Sequence, residues 1–82
     1  MAQEAPGRDG VSERVGLELG RIREEKGLSV DELAEKSGVS VTTIRVAERG
    51  QRAPSDDTVA RLARPLGLTF DEVWALQRRR DR

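Results

Sequence analysis

Helix starts and stops recur so closely along this chain that no element can be long. Gly27, Gly38 and Gly50 each close a run of helix-forming residues, and Ser29, Ser40 and Ser55 follow them within a few positions. A serine of this kind accepts a hydrogen bond from a backbone N–H that the helix leaves orphaned, and the glycine takes the left-handed backbone that ends a helix. Helices this short are marginal alone, so such a chain must fold by packing them together.

The signals place five helices. Ser12 caps the first, which runs to about Lys26 with Val15, Leu19 and Ile22 on one stripe. Ser29 and Glu32 form a capping box for the second, with Leu28 and Leu33 as its hydrophobic staple. This helix ends near Ser37, and Gly38 turns the chain. Ser40 caps the third, Val39 staples to Ile44, and the helix runs to about Arg49. Ser55 caps the fourth, with Asp56 and Asp57 in the first turn, where the macrodipole favours anions. Val59, Leu62 and Ala63 form its stripe, and Pro65 restricts Arg64 and closes it early. Leu68 to Val73 repeats the capping box and staple and opens a fifth helix carrying Phe70, Val73, Trp74 and Leu76. The expected fold is all-α: one domain over 12–77, a disordered arm over 1–11 and a basic tail over 78–82.

Composition narrows the chemistry. A chain of 82 residues supports one modest core and no large substrate cavity. Without Cys or His there is no disulfide, no thiolate or imidazole metal site and no Cys nucleophile. The carboxylate pairs Asp56-Asp57 and Asp71-Glu72 each fall in the first turn of a capped helix, where the dipole accounts for them. No enzyme activity, cofactor or metal is expected. No apolar run approaches the roughly 20 residues that span a bilayer, and the polar start, broken by Pro6, Gly7 and Gly10, is not a signal peptide. A cytoplasmic, nucleoid-associated location follows as the expectation.

The formal net charge is zero, but its distribution is uneven. Residues 1–36 hold 6 basic and 9 acidic side chains, a net of −3, and residues 37–82 hold 9 and 6, a net of +3. Thirteen of the 15 cations are Arg. Arginine is the better reader of phosphate and guanine; a codon bias in a GC-rich genome gives the same count.

The second and third helices carry the functional signal. Two short helices joined by a tight turn with Gly make a helix-turn-helix. Ala34 is small where the helices cross, Gly38 makes the turn, and Leu33, Val39 and Ile44 lock the pair. At about 100° per residue, Ile44, Ala47 and Glu48 share the inner face of the third helix. Thr42, Val46 and Arg49 lie opposite, with Arg45 beside them and Arg52 in the following loop. This is the face a major groove would receive; the plain alternative is a solvated face with two arginines.

Leu19-Gly20-Arg21-Ile22-Arg23, Gly27-Leu28-Ser29, the run from Glu32 to Ser40, Thr43-Ile44, Glu48-Arg49-Gly50, Pro54-Ser55 and Leu66-Gly67-Leu68 together resemble the XRE/Cro-type helix-turn-helix family of phage repressors and small bacterial regulators. The resemblance covers about 15–76. It implies a five-helix, lambda-repressor-like domain that binds double-stranded DNA, usually as a homodimer, through its third helix. Base-reading positions carry over to Val41, Thr42, Arg45 and Val46. Phosphate contacts carry over to Ser29, Val30, Gln51 and Arg52, and Arg49 of the outer face joins them. In the family a first-helix Arg pairs with the Glu at position 48, which implies an Arg23–Glu48 ion pair. The C-terminal region lies near the family's dimer contact, which implies Leu66 and Trp74 at a two-fold interface; alternatively, Trp74 only caps the monomer core.

The chain also departs from the family. Val30 stands where Gln is common and Val46 where a polar reader is common. Ala47 replaces a larger aliphatic, Asp56 a Leu, and Pro65 a residue that continues the fourth helix, which together imply a thinner core. The valines could meet thymine methyls or mark a surface that meets a protein. Two functions therefore stand: a sequence-specific regulator, most simply a repressor on a palindromic operator, or an antitoxin-like protein-interaction module on the same fold.

Overall fold

Every helix begins one residue after a serine or threonine. The computed structural model describes residues 12–79, without the side chains of 70, 74 and 77–79, and the expected arm and residues 80–82 lie outside the described residues. The helices are α1 (Glu13–Glu25), α2 (Val30–Ser37), α3 (Val41–Glu48), α4 (Asp56–Ala63) and α5 (Phe70–Arg79). The Ser29 hydroxyl accepts from the Glu32 N–H at 3.0 Å, and the Ser29 N–H donates to the Glu32 carboxylate at 2.8 Å. Thr69 and Glu72 repeat this box at 3.1 and 2.8 Å. Helix α5 runs two residues past the expected end at 77. Arginine is a good helix former, and cations suit a helix C-terminus.

Leu19, Leu33, Ile44, Leu62, Leu66, Val15, Val59 and Val73 are each under 2% exposed and make one core. Burying side chains of this kind stabilises by roughly 1.5–3 kcal/mol each. All three staples close on this core: Leu28 and Leu68 pack against it beside buried Leu33 and Val73, and Val39 and Ile44 lie within it. Helix α1 packs on α3 and α5, α2 packs on α3 and α4, and α4 packs on α5. Helix α3 is thus held from two sides.

The turn between α2 and α3 spans three residues. Gly38 takes φ 78°, and its N–H donates to the Ala34 carbonyl at 2.9 Å. The Ser37 hydroxyl accepts from the Val39 N–H at 3.1 Å, and Ser40 caps α3. Only a residue without a Cβ enters that left-handed region cheaply.

Helix α4 closes early, at Ala63, as Pro65 implied, but by another route. Arg64 is not driven to extended backbone but stays helical at φ −58°, ψ −54°. Proline has no N–H to continue the ladder, so the chain tightens instead. The Leu66 and Gly67 N–H groups donate to Ala63 and Arg64, and the Leu68 N–H donates back to Ala63 at 2.9 Å. The extra turn carries Leu66 into the core.

Candidate nucleic-acid interface

Helix α3 is fixed in place by its inner face. Ile44 is fully buried and Ala47 is 3% exposed. Helix α1 rides directly over the C-terminal half of α3, because Gly16 and Gly20 present no side chain there. A Cβ at Gly16 would collide with the Ala47 carbonyl, and one at Gly20 would stand 2.9 Å from the Glu48 Cγ. Mid-helix glycine costs about 1 kcal/mol relative to alanine, and here that cost secures a close approach. It also accounts for Ala47: the approach of α1 fills the volume that a larger aliphatic would take, so the core is closed where the sequence implied a thin one.

Arg23 and Glu48 clamp the same seam. The guanidinium donates from Nε to Glu48 Oε2 at 2.7 Å and from Nη2 to Oε1 at 2.9 Å. Its Nη1 donates to the Leu28 carbonyl at 2.7 Å, beyond the end of α1. One buried arginine therefore joins α1, α3 and the connection to α2. The hydrogen bond to Glu48 is the main cause that holds Arg23 above the ordinary arginine range, against burial, which lowers it.

The outer face of α3 lacks such partners. Thr42 and Arg45 are exposed, and Val41 and Val46 are half-buried. Arg49, Gln51 and Arg52 are exposed where the chain leaves the helix. None of the three arginines makes an ion pair among the described residues. Beside them a groove of about 460 Å³ opens between α3 and the loop into α4, with Thr42, Thr43, Val46, Arg52, Pro54 and Ser55 among its lining. Thr42 and Val46 of the base-reading positions and Arg52 of the loop positions thus line one groove.

Ser29 and Val30 sit less favourably. The Ser29 N–H and hydroxyl are both engaged in the capping box with Glu32, and Asp31 and Glu32 occupy the first turn of α2. A phosphate there would face two carboxylates. Val30 packs against the core, which explains an aliphatic where the family commonly has Gln. Leu66, implied at a dimer contact, is 1% exposed inside the monomer core. It is a packing residue, because the turn at Pro65 swings it inward. The Trp74 side chain lies outside the described residues.

Thr43, Pro54, Ser55 and Thr58 also line the groove, and sequence reasoning did not single them out as interface residues. The available signal was the repeated Ser-x-x-Thr at the starts of α3 and α4. Ser40 donates its hydroxyl to Thr43 Oγ1 at 2.9 Å, and Ser55 donates to Thr58 Oγ1 at 3.0 Å. Electrostatics set α3 apart: its first turn holds no acidic residue, whereas the other four helices each have at least one. Its positive end is left open to an outside anion.

Among the described residues no group of three His, Cys, Asp or Glu side chains could hold a metal ion, and no helix is long and apolar enough to cross a membrane. No curated protein and no solved structure gives a match. A helix-turn-helix family model matches residues 19–73, more than half of the chain and the whole of the α2–α3 unit. The chain belongs to the XRE-type helix-turn-helix family, whose members are DNA-binding transcriptional regulators.

Proposed function

We propose that the protein is a sequence-specific repressor that binds a palindromic operator as a homodimer. The observation that carries this reading is the outer side of α3: Arg45, Arg49 and Arg52 are exposed with no ion pair among the described residues, and the first turn of the helix holds no carboxylate. Affinity comes from arginine–phosphate contacts and discrimination from the base edges beneath α3. Arg45 and Thr42 supply polar readout, and Val41 and Val46 meet thymine methyls. Gln51 and Arg52 hold the backbone from the loop, and Ser29 and Val30 contribute at most weakly. A two-fold dimer sets its two α3 helices about one helical turn, roughly 34 Å, apart on the duplex. With Leu66 in the core, the dimer seam falls to α5, the helix that carries Trp74. Binding there occludes a promoter without any further domain.

Zero net charge and the valines at 41 and 46 favour a protein-interaction module as the second reading. Selection of bound sequences from a random duplex pool separates the two. A regulator enriches a two-fold motif with at least one A·T pair under each α3, and Arg45→Ala changes the base preference. A pool that returns no motif assigns the face to a protein.

A further inference from the structure

A second hollow, of about 330 Å³, lies between the C-terminal end of α2 and α4. Lys36 and Ser37 line it from α2, and Asp57, Ala60, Arg61 and Arg64 line it from α4 and the residue after it. Positions 57, 60, 61 and 64 fall at i, i+3, i+4 and i+7, so they form one stripe. At 100° per residue that stripe lies about 160° around the α4 axis from the core stripe, and about 140° from Ser55 and Thr58 in the α3 groove. The two hollows face different ways.

Three cations against one carboxylate leave this hollow at a net charge of +2. Asp57 accepts from Arg61 Nε at 2.9 Å, but both side chains are more than half exposed, so water screens the pair. Lys36 and Arg64 make no ion pair among the described residues. Arg61 also reaches the turn of the helix-turn-helix: its Nη1 lies 3.7 Å from where a Cβ on Gly38 would stand. Helix dipoles account for Lys36 and Arg61 singly, since each sits in a last turn. They do not account for the convergence of both with Arg64 on one concavity.

We propose that this hollow is a docking site for an acidic segment of a second protein, with carboxylates taken by Lys36, Arg61 and Arg64. A duplex seated on α3 lies on another side of α4. A second copy centred on the hollow does not fit either, because a two-fold axis there sets the patch against itself and would oppose the three cations. Carboxylates on a flexible segment match exposed, long cationic side chains, and such a contact forms fast and weakens with salt.

The test uses the full chain, isotopically labelled for amide NMR, and an oligoglutamate peptide at low salt. The expected shifts centre on residues 36–38 and 57–64. Lys36→Glu with Arg64→Glu weakens the peptide at least about tenfold, while Arg45→Ala with Arg52→Ala leaves it bound. Both altered residues of the first variant are exposed, so it stays folded, its melting temperature lowered only by the reversed charge at the end of α2, and it keeps the wild-type affinity for a non-specific duplex. Three results overturn the proposal: no shifts at low salt; shifts centred on 42–52 that Arg45→Ala with Arg52→Ala removes; or a flatter salt dependence of duplex binding in the Lys36→Glu, Arg64→Glu protein. The last result gives the hollow to DNA phosphate instead.

Discussion

On its inner side, α3 meets groups that cannot move: the Gly16 backbone, the core around Ile44 and the Arg23–Glu48 clamp. On its outer side, Arg45, Arg49 and Arg52 make no ion pair among the described residues. One helix of eight residues, with the few residues that follow it, thus joins close packing on one side to uncommitted charges on the other. The difference separates two kinds of constraint. Inner residues are fixed by contacts already made, so changing them costs stability. Outer residues are held in register by the inner ones and remain available, so changing them costs binding. A rigid element that presents adaptable side chains is what a sequence-reading surface requires.

The sharpest way to break this contrast is at Gly16. A side chain there meets main chain, which cannot turn aside as a side chain would. Helix α1 must lift from α3, and the Arg23–Glu48 bonds are lost with it. Overpacking alone costs about 1–3 kcal/mol, and with the clamp gone Gly16→Val is expected to cost about 4–5 kcal/mol. That is most of the stability of a small domain. Urea unfolding measures it; a midpoint near wild type would mean that α1 does not rest on α3.

Glu48→Ala ranks next. It leaves Arg23, a residue only 9% exposed in the wild type, with the Leu28 carbonyl as its one remaining strong partner. Removing one member of a buried pair costs about 3–5 kcal/mol, and the lower end applies because Glu48 keeps some solvent contact. The pH behaviour follows from the raised Arg23. A cation held above its unfolded value contributes fully at any pH below the ordinary arginine range and fades only as pH rises through the raised value. The Arg23 contribution is therefore flat from about pH 6 to about pH 9. Thermal melts of wild type and Glu48→Ala across that window should differ by a constant amount, and a difference that shrinks toward pH 9 would contradict the pairing.

The inner side was only partly legible in the sequence. Caps at Ser29, Ser40, Ser55 and Thr69 announce themselves because capping is local: donor and acceptor lie three residues apart. Leu33, Val39 and Ile44 announce the turn through apolar spacing. The partner of Glu48 is 25 residues away, and only family resemblance pointed to Arg23. Gly16 and Gly20 stood at a small-residue spacing that permits close approach, but the helix they approach is not encoded nearby. Leu66 misled for the same reason, since its direction depends on how Pro65 tightens the chain. Val30 misled because the same position can face phosphate or core. The outer face was legible as a stripe of residue types, while the groove walls at Pro54, Ser55 and Thr58 depend on the path of the loop.

Arg45→Ala sharpens the contrast from the other side. The side chain is exposed and makes no ion pair among the described residues, so stability should stay within about 0.5 kcal/mol of wild type. Discrimination at one base pair should fall by about 1–3 kcal/mol, the worth of a good bidentate contact. Competition between the selected operator and a single-base variant measures this, with a melt of the same sample as control. A change in melting without a change in discrimination would put Arg45 on the structural side of the comparison.

Arg52→Ala is the smallest effect and the most diagnostic of phosphate contact. Arg52 lies in the loop, exposed at the rim of the α3 groove, and reads no base in the proposed arrangement. A dimer carrying Arg45, Arg49 and Arg52 twice makes roughly 6 cationic contacts and has a log–log salt slope near −5. If all six touch phosphate, losing Arg52 from both protomers removes two and brings the slope to about −3.6. Operator and random duplex should weaken in step, so the specificity ratio stays fixed while the salt dependence flattens. Titrations at several salt concentrations on both duplexes separate this outcome from that of Arg45→Ala, where the ratio falls more than the slope. An unchanged slope would remove Arg52 from the phosphate contacts and shift the interface toward the N-terminal end of α3, where no carboxylate opposes the backbone.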